Sequence, residues 1–178
     1  MVIRLVAIDL DGTLFNSDVK LTERVVNTLR KAMEKDVKIV ITTGRAMSGV
    51  VEGVLEKVGL YEKGNYVITS NGAIAQKTDS GEKIFYRSLT VEDFGKFEEM
   101  CKKLGIHIQM ITKDSIYTPD KEIHKLTVRE AYLTDTNLNY ATFNDLPKDI
   151  DIIKMMLVGE KEILDSAIEK IPSHFFEE

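Results

Sequence analysis

Val2-Ile3-Arg4-Leu5-Val6-Ala7-Ile8-Asp9-Leu10-Asp11-Gly12-Thr13 decides the reading of the rest of the chain. The stretch up to Ile8 is short, β-branched and apolar apart from Arg4. That pattern predicts a strand buried on both faces, of the kind found inside a parallel sheet. Two carboxylates at its C-terminal end are out of keeping with burial. In an extended chain, residues at i and i+2 point to the same side, so Asp9 and Asp11 converge. Gly12 then permits a sharp turn, because it has no Cβ to restrict φ. Two like charges side by side are costly unless a cation or a proton lies between them. The stretch is therefore a candidate site for a hard metal such as Mg²⁺, which takes oxygen ligands. The plainer alternative is an ordinary strand and turn with an Asp cap.

Composition sets the outer bounds. The chain has 178 residues, enough for one large domain or two small ones. It is 43% hydrophobic and 30% charged, the balance of a globular domain. A net charge of −5 leaves no basic footprint for nucleic acid. Phosphates must then be bound locally, by backbone amides, a metal or a placed cation. No apolar run approaches a membrane span. Arg4 and the acidic motif interrupt the N-terminal run, so a signal peptide is not expected. Cys101 is the only cysteine, which excludes an internal disulfide. It shares an apolar helical face with Phe94, Phe97 and Leu104 and reads as a packed, inert thiol. The cytoplasm is the simplest compartment for such a chain.

Beyond the motif, Leu14 to Lys20 reads as a loop. Thr22 is a plausible N-cap for a helix with Val25, Val26, Leu29, Ala32 and Met33 on one face. Val37 to Thr42 is a second strand, leading into Thr43-Gly44-Arg45. A helix follows with Val50, Val51, Val54, Leu55 and Val58 inside and Gly59 as its stop. Tyr66 to Thr69 is a third strand, ending at Ser70-Asn71-Gly72-Ala73. This alternation predicts a parallel sheet with right-handed crossovers. The three polar, Gly-containing loops then share one sheet edge, where open α/β sheets bind ligands.

From Ala73 the rhythm changes. A hairpin is expected over 73–77 and 83–87, split by Asp79-Ser80-Gly81. A helix follows over 90–103, then short strands at 107–112 and 115–118. A helix is expected near 121–132, a polar loop over 134–149, a strand at 152–158, and a helix over 160–171 stopped by Pro172. Mixed elements of this sort suggest a second, α+β domain, giving domains 1–88 and 89–178. The end, Glu177-Glu178, reads as a solvated tail. His107, His124 and His174 show no ligand spacing, and the methionines read as core filler.

Together, the three loops contain parts suited to phosphoryl transfer. An acidic pair can hold Mg²⁺. A Thr hydroxyl followed by Gly at a helix start can hold a phosphate oxygen. A carboxylate beside a metal-neutralised phosphate can attack phosphorus, and a second can move the proton.

Asp9-Leu10-Asp11-Gly12-Thr13-Leu14, Thr42-Thr43-Gly44-Arg45 and Ser70-Asn71-Gly72-Ala73 together resemble the haloacid dehalogenase superfamily. Within it the chain is similar to the Cof-type subfamily IIB phosphatases, and most nearly to the YidA-type sugar phosphatases. Lys154-Met155-Met156 and the segment Ala167 to Pro172 belong to the same likeness. The resemblance implies a Rossmann-like α/β core with an inserted α+β cap of the C2 type. It implies Asp9 as nucleophile and Mg²⁺ ligand, and Asp11 as general acid/base with its backbone carbonyl on the metal. Thr43 and the Gly44 amide would hold the phosphoryl group, and the Gly12 and Thr13 amides would face it. Arg45 either reaches substrate or braces its loop. Asn71 and Gly72 stand where substrate touches them, although Asn-Gly is also ordinary turn chemistry.

The resemblance also implies a Mg²⁺-dependent phosphatase acting on small phosphomonoesters, sugar phosphates foremost, through an aspartyl-phosphate. Its partner would be a small phosphorylated metabolite rather than nucleic acid or membrane. The family's later Lys and Gly-Asp-x-x-Asn-Asp segment have no counterpart here, and Asn144-Asp145 is no substitute. Only the N-terminal half of the core and an incomplete cap are then expected, as in a fragment. An unfinished sheet would leave the Asp9 strand with an exposed edge and leave room for self-association. The alternative function is a catalytically impaired phosphosugar-binding or interaction protein.

Overall fold

The computed structural model describes residues 2–47, 49–134 and 136–175. The Glu177-Glu178 tail and the burial of Val50 lie outside the described residues. Two compact units make up the chain, Met1–Arg87 and Ser88–Glu178.

The first unit is built on β1 (Leu5–Ile8), α1 (Glu23–Met33), β2 (Lys38–Thr42), α2 (Gly49–Val58), β3 (Tyr66–Thr69), β4 (Ile74–Lys77) and β5 (Lys83–Tyr86). Its sheet runs β1-β2-β3-β4-β5. The first three strands are parallel, and β4 and β5 return as antiparallel neighbours. Because the strand order advances in one direction, right-handed crossovers put both helices on one face. Val6, Ile8, Ile39, Ile41 and Val67 point to that face and pack with Leu29 of α1 and Val51, Val54, Leu55 and Val58 of α2. Thr22 caps α1, its hydroxyl accepting the Val25 N–H. Gly59, at φ +88°, ends α2.

Among the described residues of the first unit no further α-helix covers the opposite face, and β1 is an edge strand. The expectation of a strand buried on both faces is corrected here: Leu5 is 56% exposed, and its neighbour across the register is Lys38. The apolar pattern of β1 is a sound strand signal, but it does not say which neighbours are present.

The loop after β1 is closed by Asn16, whose side chain accepts the N–H groups of Asp18 and Lys20 at 3.1 and 2.8 Å. Val19 is forced to φ +57° there, a conformation costly for a β-branched residue. Val19→Gly should therefore raise the urea midpoint, by about 1 kcal/mol in stability. A lowered midpoint would show that the loop is unstrained.

The second unit contains α3 (Val91–Leu104), β6 (His107–Ile111), β7 (Ser115–Thr118), α4 (Lys125–Thr134), β8 (Asn137–Tyr140), β9 (Lys154–Val158) and α5 (Lys161–Ile168). Its sheet order is β8-β7-β6-β9. Ile108 and Met110 of β6 join Phe94, Met100 and Cys101 of α3 and Ala167 of α5 in the core. A capping box fixes the start of α3: Thr90 Oγ1 accepts the Asp93 N–H, and Asp93 accepts the Thr90 N–H, both at 3.1 Å. Thr90→Ala should cost about 1 kcal/mol, read as a lower denaturation midpoint of this unit; an unchanged midpoint would contradict that.

Three elements differ from the sequence reading. The polar stretch 134–149 contains β8, which pairs in parallel with β7. As an edge strand it has only Leu138 partly covered, so it carries no apolar alternation to reveal it. The helix expected near 121–132 begins at Lys125, because the His124 imidazole accepts the Leu126 N–H and starts it there. Finally, α5 ends at Ile168, and the segment to Ile171 continues as tight turns, with Lys170 N–H on Ala167 O and Ile171 N–H on Ile168 O.

Candidate active site

Ile8 lies beside Ile41 in the β1–β2 register, and Thr42 beside Ile68 in the β2–β3 register. Continued past the strand ends, the first register brings Asp11 level with Gly44. The second brings Arg45 level with Asn71. All nine residues singled out at the three strand ends therefore share one sheet edge.

Asp9 stays extended, at φ −78° and ψ 157°. Leu10 beside it is fully buried and anchors the turn, while Asp9 and Asp11 remain exposed. Gly12 reverses the chain at φ +74°. The turn closes when Leu14 N–H reaches Asp9 O at 3.3 Å and Phe15 N–H reaches Leu10 O at 2.9 Å. Gly12 and Thr13 lie inside it. Among the described residues no hydrogen bond or ion pair ties the Asp9 carboxylate.

Asp11 is held differently. Arg45 Nε donates to its Oδ2, and Arg45 Nη2 to its Oδ1, both at 2.8 Å. This is a bidentate pair with side chains 26% and 50% exposed, Arg45 first. The guanidinium hydrogen bond, reinforced by its charge, holds the Asp11 carboxyl below the usual carboxylate range despite some desolvation. A carboxyl depressed on folding stabilises the folded state above its unfolded pKa, and that stabilisation is lost as pH falls through the depressed value. Arg45→Ala should thus flatten the acid limb of the stability–pH curve below about pH 4. An identical acid limb in the two proteins would contradict the pairing.

The second and third loops are tied together. Thr43 is buried; its N–H donates to Ile68 O at 3.0 Å, and its hydroxyl accepts the Arg45 N–H at 3.2 Å. Ser70 N–H donates to Arg45 O at 2.8 Å and Asn71 N–H to Thr43 O at 3.2 Å. Ser70, Asn71 and Gly72 all have positive φ, at 53°, 57° and 94°. Two of them carry side chains, so the loop holds strain that its neighbours maintain. A Cβ on Gly44 would run into Asn71 Oδ1. The close approach of the Asn71 side chain thus favours glycine at this position, a reason distinct from helix-start chemistry.

The sequence reading missed the Arg45–Asp11 clamp and the seat of Asn71 on Gly44. Both partners lie on different strand ends, and only the strand register, not local spacing, brings them together. Elsewhere, Cys101 is buried, and burial followed by the nearby Asp120 charge pushes its thiol up to about 12, which suits the inert role expected. Asp145 accepts from the Thr142 amide and hydroxyl at 2.9 and 2.6 Å, a structural cap far in sequence from the acidic pair. His107 lies 3.0 Å from Asp120, with its ring centroid 5.1 Å from that of His124. Among the described residues no three His, Cys, Asp or Glu side chains form a metal cluster.

The acidic pair still suits one hard cation. Mg²⁺ keeps several waters and needs only one or two protein carboxylates. The untied Asp9 carboxylate and the Asp11 main-chain carbonyl are donors of the right kind. The Asp11 side chain accepts from Arg45 through both of its oxygens.

The profile of the haloacid dehalogenase-like hydrolase family matches residues 6–178, and the chain belongs to that family. It is similar to a candidate phosphatase of Streptococcus pyogenes, at 41% identity over 177 residues, covering 99% of this chain and 65% of the relative. It is also similar to YxeH, a candidate phosphatase of Bacillus subtilis, at 37% identity over 169 residues, covering 95% of this chain and 62% of the relative. A solved subclass IIB sugar phosphatase of the same superfamily shares the fold with a TM-score of 0.69 at 20% identity, over 96% of this chain and 64% of that one. The chain thus spans slightly under two thirds of the length of the relatives it matches. No helix among the described residues is long and apolar enough to cross a membrane.

Proposed function

We propose that this chain carries the nucleophile and proton-transfer half of a Mg²⁺-dependent phosphatase for small phosphomonoesters. The observation behind this reading is the edge itself: an untied Asp9, a clamped Asp11 and a buried Thr43 presented by three adjacent strand ends. Asp9 and the Asp11 carbonyl would hold Mg²⁺, which neutralises phosphate charge and so permits a carboxylate to approach phosphorus.

The chain's own residues do the rest. The Thr43 hydroxyl and the amides of Gly44, Gly12 and Thr13 orient the phosphoryl oxygens. An Asp9 oxygen attacks phosphorus, and the ester P–O bond breaks with its electron pair going to the leaving oxygen. Asp11 delivers a proton to that oxygen. Asp11 then takes a proton from water, which attacks the aspartyl-phosphate, releasing phosphate and restoring Asp9. Residues 89–178 act as the cap that selects the leaving group.

A sugar phosphate is the substrate class we favour, since the subclass IIB neighbour is named a sugar phosphatase and the sequence resembles YidA-type enzymes. A cytoplasmic metabolite fits this reading. Turnover of p-nitrophenyl phosphate with and without Mg²⁺, followed by a phosphosugar panel, tests it. Hydrolysis unaffected by chelator would remove the metal from the account. Phosphosugar binding without turnover is the second reading. It is favoured by the bidentate contact of Arg45 with both Asp11 oxygens.

A further inference from the structure

The first turn of α4 is tied to a side chain that can change its charge near neutral pH. His124 O accepts the Thr127 and Val128 N–H groups at 2.9 and 3.2 Å, and His124 Nδ1 accepts the Leu126 N–H at 3.2 Å. The two carbonyl bonds do not depend on the charge of the ring. The third needs a lone pair on Nδ1, and an imidazolium carries N–H on both nitrogens. A cation in the first turn also opposes the positive end of the helix. The usual capping side chains, Ser, Thr and Asn, keep their acceptor at every pH.

His124 is half-buried, and charged groups from three elements surround it. From β6, the His107 ring lies 5.1 Å away between centroids, and His107 Nδ1 is 3.0 Å from Asp120 Oδ2. Before α5, Glu160 pairs with Lys125 at 2.5 Å. The Lys125 hydrogen bond and charge, with the His124 charge as a smaller cause, hold the Glu160 carboxyl below the usual carboxylate range. Lys121 and Glu122 are exposed in the segment just before. Asp120 and Glu160 thus attract an imidazolium at this position, while Lys125 and a charged His107 repel it. Wherever that balance sets the proton, the bond to Leu126 is lost with its arrival.

We propose that His124 is an acid-operated cap: its neutral ring closes the first turn of α4, and its protonation releases Leu126 and opens that turn. Histidine changes charge between about pH 5 and 8, so the cap is present at the upper end of that range and lost toward the lower end. The opening is local. Thr127 and Ala131 are buried and anchor the body of the helix. Ile123 and Leu126, at the turn itself, are already exposed, so little burial opposes the opening. The device lies within the second unit and does not depend on the proposed phosphatase reading.

The test is a titration of the isotope-labelled 178-residue protein from about pH 8 to pH 5, following the His124 ring, the Leu126 N–H and the Cα shifts of residues 125–127 by NMR. The Leu126 N–H should leave its hydrogen-bonded position in step with protonation of the His124 ring. The Cα shifts should move toward coil values, the open-to-closed ratio of the turn rising about fivefold. His124→Asn supplies an acceptor at every pH and should hold the turn helical throughout, whereas His107→Gln should leave the acid response in place. A helical turn that persists beside a protonated His124 ring would overturn the inference, as would a ring that stays neutral across the range. So would an acid response that survives in His124→Asn, disappears in His107→Gln, or spreads through both units.

Discussion

Asp9→Asn should reduce phosphatase turnover by at least about 10³-fold and leave folding unchanged. The carboxylate stands exposed at the end of β1, and among the described residues nothing ties it, so an isosteric amide removes no bond that the fold uses. In the proposed mechanism it removes the nucleophile: an amide oxygen does not form the acyl-phosphate that divides hydrolysis into two accessible steps. The variant should melt like wild type and still respond to phosphate at the Thr43 and Gly44 amides. Turnover equal to wild type would take Asp9 out of the mechanism. A lowered melting temperature would mean that its carboxylate has a structural partner.

Phe94→Ala should be the most destabilising single change in the second unit, at about 3–5 kcal/mol. Phe94 is fully buried and is among the largest of the fully buried side chains. It lies in one buried cluster with Ile108 and Met110 of β6 and Ala167 of α5, so its loss leaves a cavity in that core. A domain of this size has a total stability of about 5–15 kcal/mol, so a loss of that size should lower the unfolding midpoint of residues 88–178 steeply. The capping box at Thr90, one turn earlier, contributes far less. A midpoint shift as small as that of Thr90→Ala would show that the helices repack around the gap.

The sequence reveals the first unit well, for a physical reason. The strands of a parallel sheet alternate with helices whose apolar stripe, cap and stop are local. Thr22, the stripe through Leu29 and Gly59 all lie where those rules place them. The second unit is less legible at its margins. An edge strand such as Asn137–Tyr140 needs backbone partners rather than buried side chains, so its composition looks like a loop. A histidine cap such as His124 is not among the usual helix starters, and the start of α4 shifts accordingly.

The candidate site divides along the same line. Which residues stand at the strand ends follows from the motifs. How they hold one another follows from register, because Ile8 beside Ile41 carries Asp11 to the Thr43-Gly44-Arg45 turn. Arg45 illustrates the limit: the sequence leaves it between a substrate contact and a loop brace, and the structure gives it Asp11 as a partner. Burial on both faces of β1 is likewise a tertiary property, and local apolarity alone predicted it wrongly.

The most direct test of the account is whether Asp9 becomes covalently phosphorylated. The protein would be mixed with Mg²⁺ and a reactive donor such as acetyl phosphate, quenched in acid, and its intact mass and peptide map read. The account predicts one phosphoryl adduct, located on the peptide containing Asp9, labile to hydroxylamine, and absent from Asp9→Asn. An adduct on another residue, or one that persists in Asp9→Asn, would contradict it.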